Sequence, residues 1–296
     1  MQWDDLRIFL AVARHESLSG AGKALKLDPA TVGRRIARLE EGVGAVLFAK
    51  SPQGYSLTDE GQNLRVRTAE AEQSIIGGLE QVRGQTGQLT GIVRIGAPDG
   101  AANYLLPQVC AQICEANPGL EVQIVALPRV FNLSRREADM AIAVSPPSSG
   151  RLVVQKITDY RLHLAGSVRY LARAGTPQSL DDLKHHKLIG YIPDMIFDKE
   201  LEYLAEVGVR HVDFSSNSVA VQLNWARQGA GLTVAHDFAL PSAPELRKVL
   251  TSQAALTRSF YLIRHATDRR VPRLNRFAEA LTLGLRKEVA RLEALT

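Results

Sequence analysis

The 296-residue sequence predicts an α/β chain made of a helical head with a small β-hairpin, one long helix, and a large region of alternating strands and helices. Three observations carry the prediction. Residues 17–41, SLSGAGKALKLDPATVGRRIARLEE, read as two short helices separated by a tight turn. Residues 58–90 hold apolar side chains at threes and fours along one stretch. From Ile92 onward, strand-like runs such as GIVRIGAP, LEVQIVAL and DMAIAV alternate with helical patterns.

The head starts with residues 3–14, where Trp3, Leu6, Phe9, Leu10 and Ala13 share a helical face and Asp4 and Asp5 lie in the first turn. Ser19 is a candidate cap for the next helix, through Ala21, Ala24 and Leu25, and Lys26-Leu27-Asp28 then turns the chain. Asp28 suits an N-cap, and Pro29 suits the first helical position, where its missing N–H has no intrahelical partner to lose. In the helix that follows, Val32, Ile36 and Leu39 fall on one side and Thr31, Arg34, Arg35 and Arg38 on another. A basic stripe alone is ordinarily a solvated face. Helix, short turn and basic helix in succession is the helix-turn-helix order, and its second helix fits a DNA major groove. Val46-Leu47-Phe48 and Tyr55-Ser56-Leu57, around the turn Ser51-Pro52-Gln53-Gly54, predict a two-stranded wing with Lys50 at its edge. By this reading Thr31, Arg34 and Arg35 read bases, Arg38 and Lys50 position phosphates, and Ser19 and Gln53 complete the DNA-contacting set.

Here the residues carry a family resemblance. From Trp3 to Gly61 the chain resembles the winged helix-turn-helix of LysR-type transcriptional regulators, through DLRIFLAVARHESLSGAGKAL, ATVGRRIARLEEGVGAVLF and the closing LTDEG. Three positions depart from the family pattern. Gly22 stands in place of the second alanine of an Ala-Ala pair, Gly33 in place of a serine, and Lys50 in place of an arginine. Gly33 costs the helix about 1 kcal/mol relative to alanine and removes a contact, while allowing closer approach to DNA.

In residues 58–90, Thr58 can cap a helix with Asp59 and Glu60 in its first turn, and Leu64, Ala71, Ile75, Leu79 and Val82 form an apolar seam. The resemblance makes this the helix that pairs two subunits, giving a homodimer and, in the family, a homotetramer. Gly77-Gly78 is expected to weaken or bend it, and the run from Gly84 to Gly91 to act as a hinge.

The alternation after Ile92 predicts parallel sheets with right-handed crossovers. It resembles the family's two-lobed effector domain, similar to periplasmic solute-binding proteins. The implied division is a head at 1–58, a linker helix at 59–90 and an effector-binding domain at 91–296. Lobe I would take about 92–161 plus 266–296, and lobe II about 162–265. Ligands of such sheets sit beyond strand carboxyl ends, against helix N-termini. That selects Pro98, Asp99, Gly100 and Ala101; Pro128, Arg129 and Phe131; Tyr191; Ser215, Ser216, Asn217 and Ser218; and His236. Family members place a hydroxyl near Asp99. A carboxylate there would compete for the helix N–H groups and repel an anion. The ligand is therefore expected to be neutral or cationic, or to be anchored by Arg129 or the Ser215–Ser218 cluster.

Other chemistry is thin. Net charge is +5 and the pI about 9.3, which suits phosphate binding without proving it. No apolar run is long enough to span a membrane and no export signal opens the chain, so a cytoplasmic protein is expected. Cys110 and Cys114 read as core cysteines, and do not match the positions of the family's peroxide-sensing members. His185-His186 lacks zinc spacing, Gly229 and Gly231 lack a phosphate-loop lysine, and no nucleophile elbow appears, so neither metal nor cofactor is expected. The leading reading is a regulator, not an enzyme: it binds an operator in double-stranded DNA, responds to a small-molecule effector between two lobes, and would meet RNA polymerase as a further partner. The alternatives are an enzyme or solute-binding domain on a vestigial head, and constitutive DNA binding without an effector. Salt-dependent DNA affinity separates the first alternative from the regulator.

Overall fold

The computed structural model describes residues 2–51, 54–82, 88–126, 138–147, 152–209, 211–266, 268 and 271–296. The chain forms two compact units, Met1–Thr86 and Gly87–Thr296.

The first unit holds α1 (Trp3–His15), α2 (Leu18–Leu25), α3 (Pro29–Val43), a hairpin of β1 (Phe48–Ser51) and β2 (Gly54–Leu57), and α4 (Asp59–Val82). Its core is Phe9 and Val12 of α1, Ala21 of α2, and Val32 and Leu39 of α3, all fully buried, with the Phe9 and Phe48 rings 5.3 Å apart. Trp3 is 49% exposed instead of joining this core, and Ile8 and Val12 take its place. The cap of α2 is Ser17, whose Oγ accepts from Gly20 N at 3.3 Å. Ser19 lies exposed one step inside the helix, which corrects its expected capping role. Asp28 caps α3 as expected, with Oδ2 accepting from Ala30 N and Thr31 N at 2.9 and 3.2 Å.

Close approach explains Gly22: a Cβ there would lie 2.7 Å from Leu27 O, so even alanine would push the turn away from α2. The hairpin is antiparallel with Lys50 opposite Tyr55. Glu40 ties it to α3, its carboxylate accepting from Leu47 N and Phe48 N at 2.8 and 3.2 Å. Thr58 starts α4, its Oγ1 accepting from Gly61 N at 3.0 Å, and the helix runs unbroken through Gly77 and Gly78.

The second unit contains β3 (Gly91–Ala97), α5 (Asp99–Tyr104), α6 (Leu106–Glu115), β4 (Leu120–Ala126), β5 (Met140–Ala143), β6 (Leu152–Ser167) and α7 (Val168–Ala174). It continues with β7 (Leu188–Gly190), α8 (Tyr203–Glu206), β8 (Phe214–Ser215), α9 (Val219–Arg227), β9 (Leu232–His236), β10 (Leu246–Lys248), β11 (Ala255–His265) and α10 (Pro272–Glu293). One nine-stranded sheet runs β4-β3-β5-β11-β6-β9-β7-β8, with β10 also on β6.

The expectation of parallel sheets is corrected in the middle. β3 pairs in parallel with β4 and β5, and β7 with β8 and β9, but β6 and β11 form a long antiparallel ribbon between the two groups. The reason is topological: the chain crosses on β6 and returns on β11, so the two strands must run in opposite directions. The boundary expected at 161/162 falls inside β6, a single 16-residue strand. One continuous core covers both sides of the ribbon, with Tyr160, Leu162, Phe260 and Phe277 nearly or fully buried in it. Helix α10 is fastened along the ribbon by Arg286 Nε donating to Ile157 O at 2.6 Å and by Glu293 accepting from Arg161 N at 2.7 Å.

Candidate nucleic-acid interface and ligand cleft

The apolar stripe of α3 is buried in the head, so its opposite side is presented outward. Arg34 is exposed there and makes no ion pair among the described residues; its Nη2 donates to Thr31 Oγ1 at 2.9 Å. Pro29, Gly33 and Arg34 of α3 share a depression of about 280 Å³ with Lys50 and Tyr55 of the hairpin. Lys50 is exposed, with its ammonium 5.8 Å from the Tyr55 ring centre. Helix and wing thus set Arg34 and Lys50 around one hollow. A Cβ at Gly33 would lie 3.3 Å from Leu18 Cδ1, a contact one flexible methyl could relieve, so sterics alone do not demand glycine there.

The other two arginines of the stripe are engaged. Arg35 Nε donates to Asp5 Oδ1 at 2.6 Å and its Nη2 also pairs with Asp4. This corrects the expectation that Arg35 reads bases: its guanidinium is held against α1. Arg38 donates to Asp5 through Nη2 at 2.5 Å and to Gln2 at 3.2 Å, but its side chain remains 47% exposed. Asp5 is fully buried. Burial by itself would raise its pKa; hydrogen bonds from Arg38 and Arg35 outweigh this and hold the carboxyl below its ordinary range. Sequence reasoning missed this residue, although a signal existed: Asp5, Phe9 and Val12 share helical spacing, which puts Asp5 on the buried face of α1.

Gln53 lies outside the described residues, as do Pro128, Arg129 and Phe131 and the side chains of Leu79 and Val82. In the expected seam, Leu64 packs on the core of its own head, which corrects its assignment to a subunit interface. Ala71 is half-buried and Ile75 is 44% exposed. Ile75 lies with Trp3, Leu10 and Thr68 around a groove of about 250 Å³ between α1 and α4.

In the second unit, Asp99 does not compete for the N–H groups of its own helix. Its Oδ2 reaches the start of α9, accepting from Ser218 Oγ and from Ala220 N, both at 3.1 Å. Ser218 Oγ also faces Val221 N at 3.4 Å, so side chains from both α5 and α9 serve one helix N-terminus. A second link across the cleft joins Ser145, after β5, to Asp198. Ser216 Oγ accepts from Ser218 N at 3.1 Å. Pro98 and Asn217 are half-buried near this junction, while Gly100 and Ala101 are buried; Ala101 has no exposed surface, which removes it as a ligand contact.

His236 is likewise a packing residue, 4% exposed among Tyr160, Tyr203 and Phe238, with ring centres 4.9–5.9 Å away. Burial drives its pKa down to about 4, against a smaller upward pull from Asp237, so the ring is neutral. The Tyr160 and Tyr203 hydroxyls are near enough to perturb each other's ionisation but lie outside hydrogen-bond geometry. Tyr191 and Ser215 line a cavity of about 520 Å³ that also takes in Tyr203 and Gln222, two residues the sequence did not single out. Gln222 looked like one polar position on an amphipathic helix, without a distinguishing motif.

Burial pushes the Cys110 thiol up to about 12, helped by Cys114. Among the described residues no group of three or more His, Cys, Asp or Glu could hold a metal ion, and no helix is long and apolar enough to cross a membrane.

Comparison with known proteins gives two family matches. Residues 3–62 match the model for "Bacterial regulatory helix-turn-helix protein, lysR family", and residues 86–285 that for "LysR substrate binding domain". The transcriptional regulator CrgA of Neisseria meningitidis is 26% identical over 188 residues, 64% of this chain, and the alignment spans 63% of CrgA, just under two thirds. Among solved structures, a full-length OxyR variant from Pseudomonas aeruginosa has a TM-score of 0.75 at 19% identity, covering 97% of this chain and 95% of its own. Full-length LysG from Corynebacterium glutamicum, solved with bound effector Arg, has a TM-score of 0.62 at 19% identity and covers 97% and 99%.

Proposed function

This chain belongs to the LysR family of bacterial helix-turn-helix regulators, and on that premise we propose that it is a sequence-specific DNA-binding transcriptional regulator modulated by a small molecule. The observation that carries the reading is the pairing of exposed Arg34 on α3 with exposed Lys50 on the wing around one hollow. Arg34 and Thr31 are positioned to read a major-groove edge, and Lys50 and half-exposed Arg38 to neutralise phosphates.

In the same reading the head is 1–58, the linker helix 59–90 and the effector domain 91–296. Exposed Ile75 and Trp3 support α4 as part of a homodimer contact. Homotetramers, contact with RNA polymerase and a cytoplasmic location follow from the family role. The effector region is the cleft of the second unit, around Asp99, Tyr191 and the Ser215–Ser218 turn.

The test is selection of genomic fragments by the purified full-length protein, followed by titration at several salt concentrations. Binding should discriminate one sequence class, and log K should fall linearly with log salt, by about 0.9 for each phosphate neutralised. Salt-insensitive or absent binding would sink the proposal.

A further inference from the structure

We propose that the effector is an uncharged, largely apolar small molecule, lodged in the 520 Å³ cavity with its polar group against Tyr191, Ser215 and Gln222. This rests on the regulator reading and names the chemical class its effector cleft accepts.

The volume falls inside the range of roughly 300–1,000 Å³ that small-molecule sites occupy. The walls are mostly apolar, including Ile189, Leu201, Leu204, Val212 and Val234. Among the described lining residues there is no lysine or arginine. The ionisable groups besides the tyrosines are Glu202 and His211, both exposed at the edge. The Arg258 guanidinium lies 5.8 Å from the ring centre of Tyr203 but is already paired with Glu200 and Glu206, so an anion taken from water into these walls would lose its hydration without gaining an unpaired counter-charge among the described residues.

The polar groups of the cavity suit a neutral ligand. Gln222 Nε2 donates to Ser216 O at 2.7 Å, and its Oε1 makes no hydrogen bond among the described residues. Neither the Tyr191 hydroxyl nor Ser215 Oγ makes a hydrogen bond among the described residues. One acceptor and two hydroxyls that both donate and accept match an amide, an alcohol or a phenol.

The neighbouring position that would attract an anion is filled. The N-terminus of α9 is a ready place for negative charge, and Asp99 already occupies it through Ser218 Oγ and Ala220 N. The Asp99 charge also reaches Tyr191, a lining residue. A carboxylate ligand would have to displace Asp99 and would be repelled by it.

The test is calorimetric titration of the full-length protein at pH 7.5 with isosteric pairs: benzamide against benzoate, and indole-3-acetamide against indole-3-acetate. The amide of at least one pair should bind, at least tenfold tighter than its carboxylate. Tyr191→Phe and Ser215→Ala each delete a hydroxyl that makes no hydrogen bond among the described residues. They should leave thermal unfolding unchanged, and at least one should weaken the amide by roughly five- to tenfold, the loss of one net hydrogen bond. Asp99→Ser, which vacates the α9 terminus, should improve carboxylate binding roughly tenfold while leaving the amide within about threefold. A wild-type preference for either carboxylate, or no binding of either amide at millimolar concentration, overturns the proposal. DNA retention is measured on the same samples. Intact salt-dependent retention with failed amide binding rejects the ligand class alone. Lost retention with intact amide binding rejects the regulator reading alone.

Discussion

Arg35 Nε donates to Asp5 Oδ1 at 2.6 Å, pinning an arginine of the basic stripe to a fully buried carboxylate on α1. Three arginines that look alike in sequence therefore have different tasks. Arg34 is exposed and holds only Thr31 among the described residues, Arg35 braces α1 against α3, and Arg38 pairs with Asp5 while its side chain stays 47% exposed.

Arg34→Ala should relax discrimination at one operator base pair by about 1–3 kcal/mol while leaving the head's stability nearly unchanged. Arg35→Ala should do the reverse, lowering the melting temperature of the head and weakening all DNA sequences alike. Binding to an operator mutation series, run beside thermal unfolding, separates the two. Equal effects on specificity would refute the division of labour.

Lys50→Ala should weaken binding about equally on every sequence and reduce the slope of log K against log salt by about one unit. An unchanged slope would place Lys50 away from the phosphate backbone.

The Asp5 cluster sets an acid limit. Asp5 titrates below its ordinary value when folded, so its stabilisation is present above the unfolded carboxylate range and is lost as pH falls through the folded value. Asp5→Asn should cost about 1.5–3 kcal/mol near neutrality, the range for a hydrogen bond to a charged group, and less below pH of about 4. Urea unfolding of both proteins across pH gives the difference directly. A difference that stays flat into acid would remove the carboxylate from the head's stability.

Cys110 should resist alkylation by iodoacetamide at pH 8 until the protein unfolds, because its thiol is held near 12 by burial. Peptide mass spectrometry reads the modification. Labelling of the native protein as fast as of free cysteine would contradict the packing.

Ile75→Asp should shift the protein toward monomers, with at least a roughly tenfold weaker dimer, and should impair binding to paired half-sites more than to a single one. Analytical ultracentrifugation and binding to the two DNA types measure both effects. An undisturbed dimer would remove this face of α4 from the interface.

Local patterns determined much of this protein. The cap at Asp28, the apolar stripe of Val32, Ile36 and Leu39, and the spacing of α9, β9 and α10 were all readable, because helix caps and amphipathic periods are properties of neighbouring residues. What periodicity could not reveal was which polar groups meet across long separations. Asp5 finding Arg35, Asp99 crossing to the α9 terminus, and β11 returning as an antiparallel partner of β6 depend on contacts that only the assembled sheet and helix packing create. An unpaired charge or N–H group is costly once buried, so its partner is chosen by three-dimensional proximity, on which one-dimensional spacing is silent.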